Sequence, residues 1–441
     1  MKGEPAKQDP RALPRAIVMN MFYTGLGIAR SLGEHGVPVL GLTSRHGVYG
    51  NFTRYAKVMW APDSLTAQAE LLAFLLALGR RLGTRSVIFP TRDHDVVFLD
   101  RFREQLAESF SFVVPERGAL SVCLDKWETY RAAQGAGVPA PKCWVIEGPE
   151  EVKRIAAEAV YPCVLKPLAA HQWRQGDNWG IVGARKAIPI DSETALIREY
   201  AEVARAATRV LLQQMIPGGD DCLRIAACYM DRQSRWIGGF NTQKLVQVPE
   251  GFGTGCVVQS ADLPELRDRT ERLLQAIGFS GVAEVEYKWD AAEEEYKLIE
   301  INPRPWDQHR LGKACGVDLM YLAYCEHAGL PMPQCSRGSG DLKWIAEDTL
   351  FSAALRMMWK RDPRLRFVFR QARGKRIFAI WSPRDPLPLM AYLAAGLIPE
   401  LVRSAIYAVK SAVGRLQWRK QLDEAKGLMY EKRLEKRNGV S

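Results

Sequence analysis

No stretch of the 441-residue chain runs to about eighteen uncharged apolar residues, so no segment reads as a membrane-crossing helix. The first residues, Met1 to Pro14, are charged and proline-rich and lack the apolar centre of a secretion signal. Nine cysteines are scattered without a Cys-x-x-Cys pair or a Cys/His ligand spacing. That excludes a disulfide framework and a structural zinc site, and implies free thiols in a reducing, cytoplasmic compartment. There is no internal repeat, and no known nucleic-acid module accompanies the positive charge, so no nucleic-acid partner is expected.

A complete dinucleotide fingerprint is also missing. The apolar run Ala16–Met19 leads into Gly25-Leu-Gly27, which opens a helix, but Arg30 stands where the third glycine belongs. The next strand, Val37 to Leu40, ends Gly41-Leu-Thr-Ser44, with no acid to hold a ribose. A nicotinamide-binding oxidoreductase therefore fits poorly. The alternative is a doubly wound, Rossmann-like N-terminal domain with a tight strand-to-helix turn.

What is present is a body of ordinary composition, 47% apolar and 25% charged, long enough for two to four domains. The net charge of +11 is lopsided. Cys335 to Ser441 hold 22 Lys/Arg against 10 Asp/Glu, an excess of 12, which leaves the first 334 residues at −1.

The most informative stretch is Lys297-Leu-Ile-Glu300-Ile-Asn302-Pro-Arg304-Pro-Trp306. In a strand, Glu300 and Asn302 share a face. Glu286, fourteen residues upstream on another apolar run, adds a second acid. Such an oxygen set suits a hard cation, magnesium or manganese, which shares its shell with phosphates. Arg304, two residues past Asn302, points to the same side, and its fork can grip a carboxylate or an acyl phosphate. Trp306 and His309 follow and are candidate pocket walls.

Other segments carry weaker signals. Asp93, His94 and Asp95 follow the strand Ser86 to Thr91, where they either contact substrate or cap the next helix. Lys166 ends the apolar strand Tyr161 to Pro167. A polar loop, His171 to Gly180, and an expected second strand, Ile181 to Ala184, then form a candidate phosphate lid. Val210 to Gly218 reads as a strand running into a turn, able to offer backbone groups and apolar faces to a purine or to sit in the interior. Arg224 opens the next strand, and Lys244 is a further inward cation. Leu266 to Ile277 reads as a helix.

Lys126, Val-Leu-Lys166-Pro, the Gln213 to Ile216 hinge, Glu286 and Glu300-Ile-Asn302-Pro-Arg304-Pro occur in the order of the ATP-grasp superfamily. Over residues 15 to 330 the chain resembles its carboxylate–amine ligases, the D-aspartate ligase-like members among them. The resemblance implies an α/β chain, α+β in its ATP-grasp part. A Rossmann-like domain would occupy 15–120 and the ATP-grasp domain 121–334, with a lid subdomain near 140–217 and a metal-binding subdomain near 218–334. A basic, helix-rich extension would follow at 335–441. It implies that Lys126 and Lys166 hold the α- and β-phosphates of ATP, that the backbone of Gln214 and Ile216 reads adenine beside Met215, and that Asp221 holds the ribose. Glu286, Glu300 and Asn302 would bind one or two magnesium ions.

Amide formation needs an activated carboxylate, and phosphoryl transfer to it is catalysed mainly by positioning and by cations. Arg304, Arg224 and Lys244 are the catalytic candidates, the last at the γ-phosphate. The expected substrates are a small carboxylate and an amine, drawn from amino acids or cell-envelope precursors. A non-catalytic, membrane-associated nucleotide-binding protein would not need the phosphate lysines and the Glu-x-Asn pair together.

In the C-terminal quarter, Leu350 to Lys360 and Pro399 to Leu416 read as helices. Ile398, Val402, Ile406, Val409, Val413 and Leu416 form one apolar stripe with basic residues off it. That pattern suits packing on the body, a homodimer contact, or a peripheral position on the anionic inner face of a membrane.

Overall fold

The five short apolar runs of the first 115 residues form one parallel sheet. Its strands β1 (Ala16–Met19), β2 (Val39–Thr43), β3 (Lys57–Trp60), β4 (Ser86–Phe89) and β5 (Phe110–Phe112) stand in the order β3-β2-β1-β4-β5. The computed structural model describes residues 13–169, 172–174, 177–251, 253–335, 341–398 and 401. β1 and β4 are buried along their whole length, as strands covered on both faces must be. Strand order reverses between β1 and β4, which opens a crevice at their C-terminal ends.

The glycines after β1 serve packing. A Cβ on Gly25 would lie 1.9 Å from the Asn20 carbonyl oxygen, and one on Gly27 would lie 2.6 Å from Nε2 of His309. They let the helix Tyr23–Glu34 press on its own strand and on the later helix His309–Ala314. The incomplete fingerprint is therefore a contact between segments.

The second sheet is antiparallel, with β6 (Cys143–Ile146), β7 (Cys163–Pro167), β8 (Ile188–Ile190) and β9 (Val210–Gln214) in the order β6-β9-β7-β8. The expected strand Ile181 to Ala184 is not one. Asn178–Ile181 is a helical turn, and Gly183 and Ala184 take positive φ, which ends extended geometry. The partner of β7 is instead β8. Trp173 of the expected lid is buried in this unit's core with Leu165, Leu196 and Leu212. His171 lies outside the described residues.

The third sheet joins β10 (Leu223–Met230), β11 (Trp236–Val248), β12 (Thr254–Ala261), β13 (Gly281–Asp290) and β14 (Glu295–Asn302) as antiparallel neighbours. Two more strands, β15 (Lys343–Ile345) and β16 (Arg376–Phe378), extend it beyond β12. The described part of the C-terminal quarter is helix-rich, as expected, and also adds these two short strands to the main sheet. The helix expected at Leu350 to Lys360 spans Glu347–Lys360, and that expected at Leu266 to Ile277 spans Pro264–Ala276. Of the helix expected at Pro399 to Leu416, all but Leu401 lies outside the described residues.

Arg30 fastens this segment to the first sheet. It is fully buried and donates to Asp385 Oδ2 at 2.9 Å, to the carbonyls of Ala379 (3.2 Å) and Ile380 (2.7 Å), and to the Asp385 carbonyl (3.0 Å). Asp385 also accepts from Thr53 Oγ1 at 2.6 Å and from the Arg54 N–H at 3.0 Å. A buried ion pair with most of its remaining donors and acceptors met is the form a protein interior tolerates. Nearby, Glu347 accepts from the N–H groups of Ala379, Ile380 and Trp381, which fixes the same loop to the start of its helix.

Candidate active site

β13 and β14 pair so that Glu284 faces Asn302 and Glu286 faces Glu300. Opposed residues, and residues two apart, project to one side of a sheet. Four oxygen-bearing side chains therefore converge on one face. That face lines a cavity of about 470 Å³ between the three sheets. β11 brings Lys244, whose Nζ lies 2.8 Å from both carboxylate oxygens of Glu286. β7 ends at Lys166, which donates to Gln213 Oε1 of β9 at 3.0 Å; Tyr130 OH donates to the same oxygen at 3.0 Å. Lys126 is the first residue of the helix Lys126–Gly135. Asp125 caps that helix by accepting from the N–H groups of Trp127 (2.8 Å) and Glu128 (3.1 Å). Its Nζ lies 3.7 Å from Glu300.

Burial and these neighbours set the charge states. Burial, helped by the Lys126 charge, pulls the Lys166 ammonium down to about 8. Burial would also discharge Lys244, but Glu286 and Glu284 hold it above the usual lysine range. Burial opposes ionisation of Glu300 as well, yet Lys126, Lys166 and Lys244 keep it below the usual carboxylate range. At Glu284, burial and the Glu286 charge outweigh the cations Lys244 and Arg304 and push it up to about 8. The acids are therefore held in tension, and a cation would relieve it.

The donor set is all oxygen, as magnesium or manganese prefers. Among the described residues no three His, Cys, Asp or Glu side chains already stand as a metal cluster. Lys244 holds both oxygens of Glu286, so a cation and this lysine compete for the same carboxylate. Glu284, which sequence reading passed over, joins the set by accepting from Asn302 Nδ2 at 3.0 Å. The signal was in the chain: Glu284-Val-Glu286 repeats the two-residue spacing of Glu300-Ile-Asn302.

The opposite wall is built from the β1/β4 crevice. Asp93 accepts from Arg304 Nε, and Asp307 accepts from Thr24 Oγ1 at 2.7 Å. Burial pushes the Asp307 carboxyl above its ordinary range. Trp306 is buried in this wall, stacked on Phe240 at 6.0 Å, and its Nε1 has no partner among the described residues. The Asp93–His94–Asp95 triplet divides its work. Asp93 and His94 line the cavity, while Asp95 is fully buried with Arg92 and Ser64 and accepts from the Thr91 and Arg92 N–H groups.

Several candidates lie elsewhere. Arg224 pairs with Gln243 and Tyr287 across the sheet, on the face away from Glu286, and donates to the carbonyls of Asp221 and Leu223. Odd and even positions of β10 face opposite ways, and Arg224 has the wrong parity for the cavity. The Gln214 N–H donates to Lys142 O at 2.9 Å and the Met215 N–H to Pro162 O at 3.0 Å, so both are spent on holding the sheet. Ile216 is buried, and the cavity wall includes none of these three. Asp221 offers its carbonyl to Gln243 at 2.8 Å, while Asp220 ties the turn to Gln247 and Gly251. His309 is buried with Nε2 3.2 Å from the Thr24 carbonyl, and burial pulls it down to about 4. It packs against the helix Tyr23–Glu34 and is not on the cavity wall.

Residues 225–334 match the family model described as the carbamoyl-phosphate synthase L chain, ATP binding domain. In three dimensions the biotin carboxylase of Campylobacter jejuni aligns with a TM-score of 0.59, at 18% identity, over 74% of this chain and 73% of its own. The fold is that of the ATP-grasp enzymes. Among curated relatives, the chain is 24% identical over 222 residues to a D-alanine–D-alanine ligase of Ectopseudomonas mendocina (strain ymp), covering 46% of this chain and 64% of that protein. It is 22% identical over 213 residues to a D-aspartate ligase of Enterococcus faecium (strain Aus0004), covering 47% of this chain and 50% of that one. The match thus spans half to two thirds of the length of these relatives. No helix among the described residues is long and apolar enough to cross a membrane.

Proposed function

We propose that this chain is an ATP-dependent ligase that joins a carboxylate to an amine through an acyl phosphate. The observation that carries the reading is the meeting, in one cavity, of Lys126, Lys166 and Lys244 with Glu284, Glu286, Glu300 and Asn302. A nicotinamide protein would need free glycines after β1, and those here are filled by Asn20 and His309. The ligase names of the two curated relatives agree with this reading.

Lys126 and Lys166 stand side by side and would hold phosphate oxygens of ATP. Magnesium, held by Glu286, Glu300 and Asn302 with Glu284 close by, would supply charge neutralisation at the transferred phosphoryl group. Lys244, on Glu286 in the cavity, would supply a further positive charge for the γ-phosphate. Adenine contacts at Gln214 to Ile216 would use backbone groups other than the Gln214 and Met215 N–H, which hold the sheet, and a ribose contact at Asp221 would use its carboxylate. At the far wall, Arg304 would orient the carboxylate, with Asp93 fixing its fork. Asp307 and Trp306 Nε1 offer an acceptor and a donor to the second substrate, as an amino acid or a related envelope precursor would use.

The deciding experiment is magnesium-dependent release of ADP and phosphate, measured against a panel of amino acids and small carboxylates. Glu300→Gln and Asn302→Ala should each lower turnover on the order of a thousandfold or more with unchanged melting. Near-normal turnover of both variants at saturating magnesium would defeat the metal assignment. ADP release that ignores every carboxylate would defeat the ligase reading.

A further inference from the structure

Among the described residues, the segment from Asp341 to Leu401 carries most of the exposed large apolar side chains, with eleven of eighteen falling between Phe351 and Leu401. They are ordered. On the helix Glu347–Lys360, Phe351, Leu355, Met358 and Trp359 recur at the spacing of one face; Met358 and Trp359 are more than half exposed, at 55% and 57%. On the helix Leu387–Tyr392 and its wide-turn continuation Leu393–Leu397, a second stripe runs through Leu387, Met390 and Leu393 to Ile398. The inner faces of both helices are spoken for. Leu350, Met357, Leu389 and Tyr392 pack on one core around Trp344 and Ile380. The stripes are therefore surplus to folding, and exposed apolar area of this extent marks an interaction site.

The charge around them is of one sign. Residues 341–398 contain eleven Lys/Arg and five Asp/Glu. Ten of the eleven cations are exposed, Arg356, Lys360, Arg366, Arg370 and Arg373 among them. The acids are mostly turned inward: Asp385 is buried under Arg30, Glu347 caps backbone N–H groups, and Asp362 is paired with Arg364. A second copy of the chain would bring like charges together at a self-contact, which opposes association. An anionic lipid surface takes both features at once, with apolar side chains among the acyl chains and arginines at the headgroups.

We propose that the outward faces of the helices Glu347–Lys360 and Leu387–Tyr392, with the continuation to Ile398, dock this protein on an anionic membrane surface. The site is distinct from the cavity and its test is independent of the ligase reading. Full-length protein is floated with vesicles of phosphatidylcholine alone and of phosphatidylcholine with phosphatidylglycerol. Binding is expected to the anionic vesicles only and to weaken with added salt. Replacing Arg366, Arg370 and Arg373 with glutamine should lower partitioning on the order of a hundredfold, at roughly a fivefold loss for each surface cation. The double variant Trp359→Ser/Met390→Ser should also lose binding while keeping its melting temperature. Equal binding to neutral vesicles overturns the proposal. So does binding that survives both sets of substitutions, which would place the contact in residues 402–441. So does a failure to bind vesicles together with a concentration-dependent dimer by light scattering that the apolar variant abolishes, since the face would then be covered by a second copy.

Discussion

Lys166 is held between burial, which favours its neutral form, and a neighbourhood where a phosphate would favour the charged one. With its pKa pulled down to about 8, it is protonated at pH 7 and largely neutral at pH 9. Binding of a non-hydrolysable ATP analogue should therefore weaken as pH rises through 8, by up to about tenfold over one unit. Lys166→Ala should bind more weakly at pH 7 and lose that pH dependence. Lys166→Arg, which stays charged, should hold its affinity across the range. Isothermal titration from pH 7 to 9 reads all three, and an unchanged affinity in Lys166→Ala would make this lysine structural. At the same scale, the oxygen pair was legible in the sequence because a two-residue period puts it on one face whatever the rest of the fold does, whereas the lysines, set on a helix and on two different sheets, were legible only through the order of the motifs. Arg224 was misplaced because its parity depends on where β10 begins, and one residue of shift moves a side chain through the sheet.

Elements differ in how much of their setting they carry. The helices Pro264–Ala276 and Glu347–Lys360 show their period locally and were readable. β8, β15 and β16 have three residues each, too few for any alternation to register. β15 is recruited by β12 from more than eighty positions away, which no local pattern encodes. Arg30 is the sharper case. In sequence it is a glycine missing from a fingerprint, while in the fold it meets an acid 355 residues further on. Removing one member of that pair leaves a buried charge alone. Arg30→Met or Asp385→Leu should each cost about 3–5 kcal/mol in urea unfolding, and the double variant should cost less than the two combined. Additive losses would mean that the two side chains do not act as a pair.

The whole molecule should be sensitive to mild acid. His309 is buried, faces the Thr24 carbonyl, and has Asp318, Arg310 and Lys313 as its charged neighbours. His327 lies against Ser111 with Arg232 and Arg85 near it. Burial holds each at about 4, below the ordinary value of 6.5. Between these values the unfolded chain binds protons that the folded one does not, so stability should fall as pH drops from 6.5 to 4 and then level off for these two groups. The loss is on the order of a few kcal/mol for each histidine. Thermal melts between pH 7 and 4 should show this limb, and His309→Gln should flatten part of it. A melting temperature constant over the range would contradict the neutral, buried assignment.

The pairing of Arg30 with Asp385 also has a consequence in time. During synthesis the first sheet emerges early, with a guanidinium in the interior face of its first helix and no acid to meet it. Its partner is made only after both other sheets. The amino-terminal unit cannot settle fully until the chain has doubled back to it, so folding closes late around one long-range contact. Pairings so distant along a chain are slow to form. A ribosome stalled anywhere before residue 385 would carry a nascent chain whose first unit is still open to chaperones and proteases.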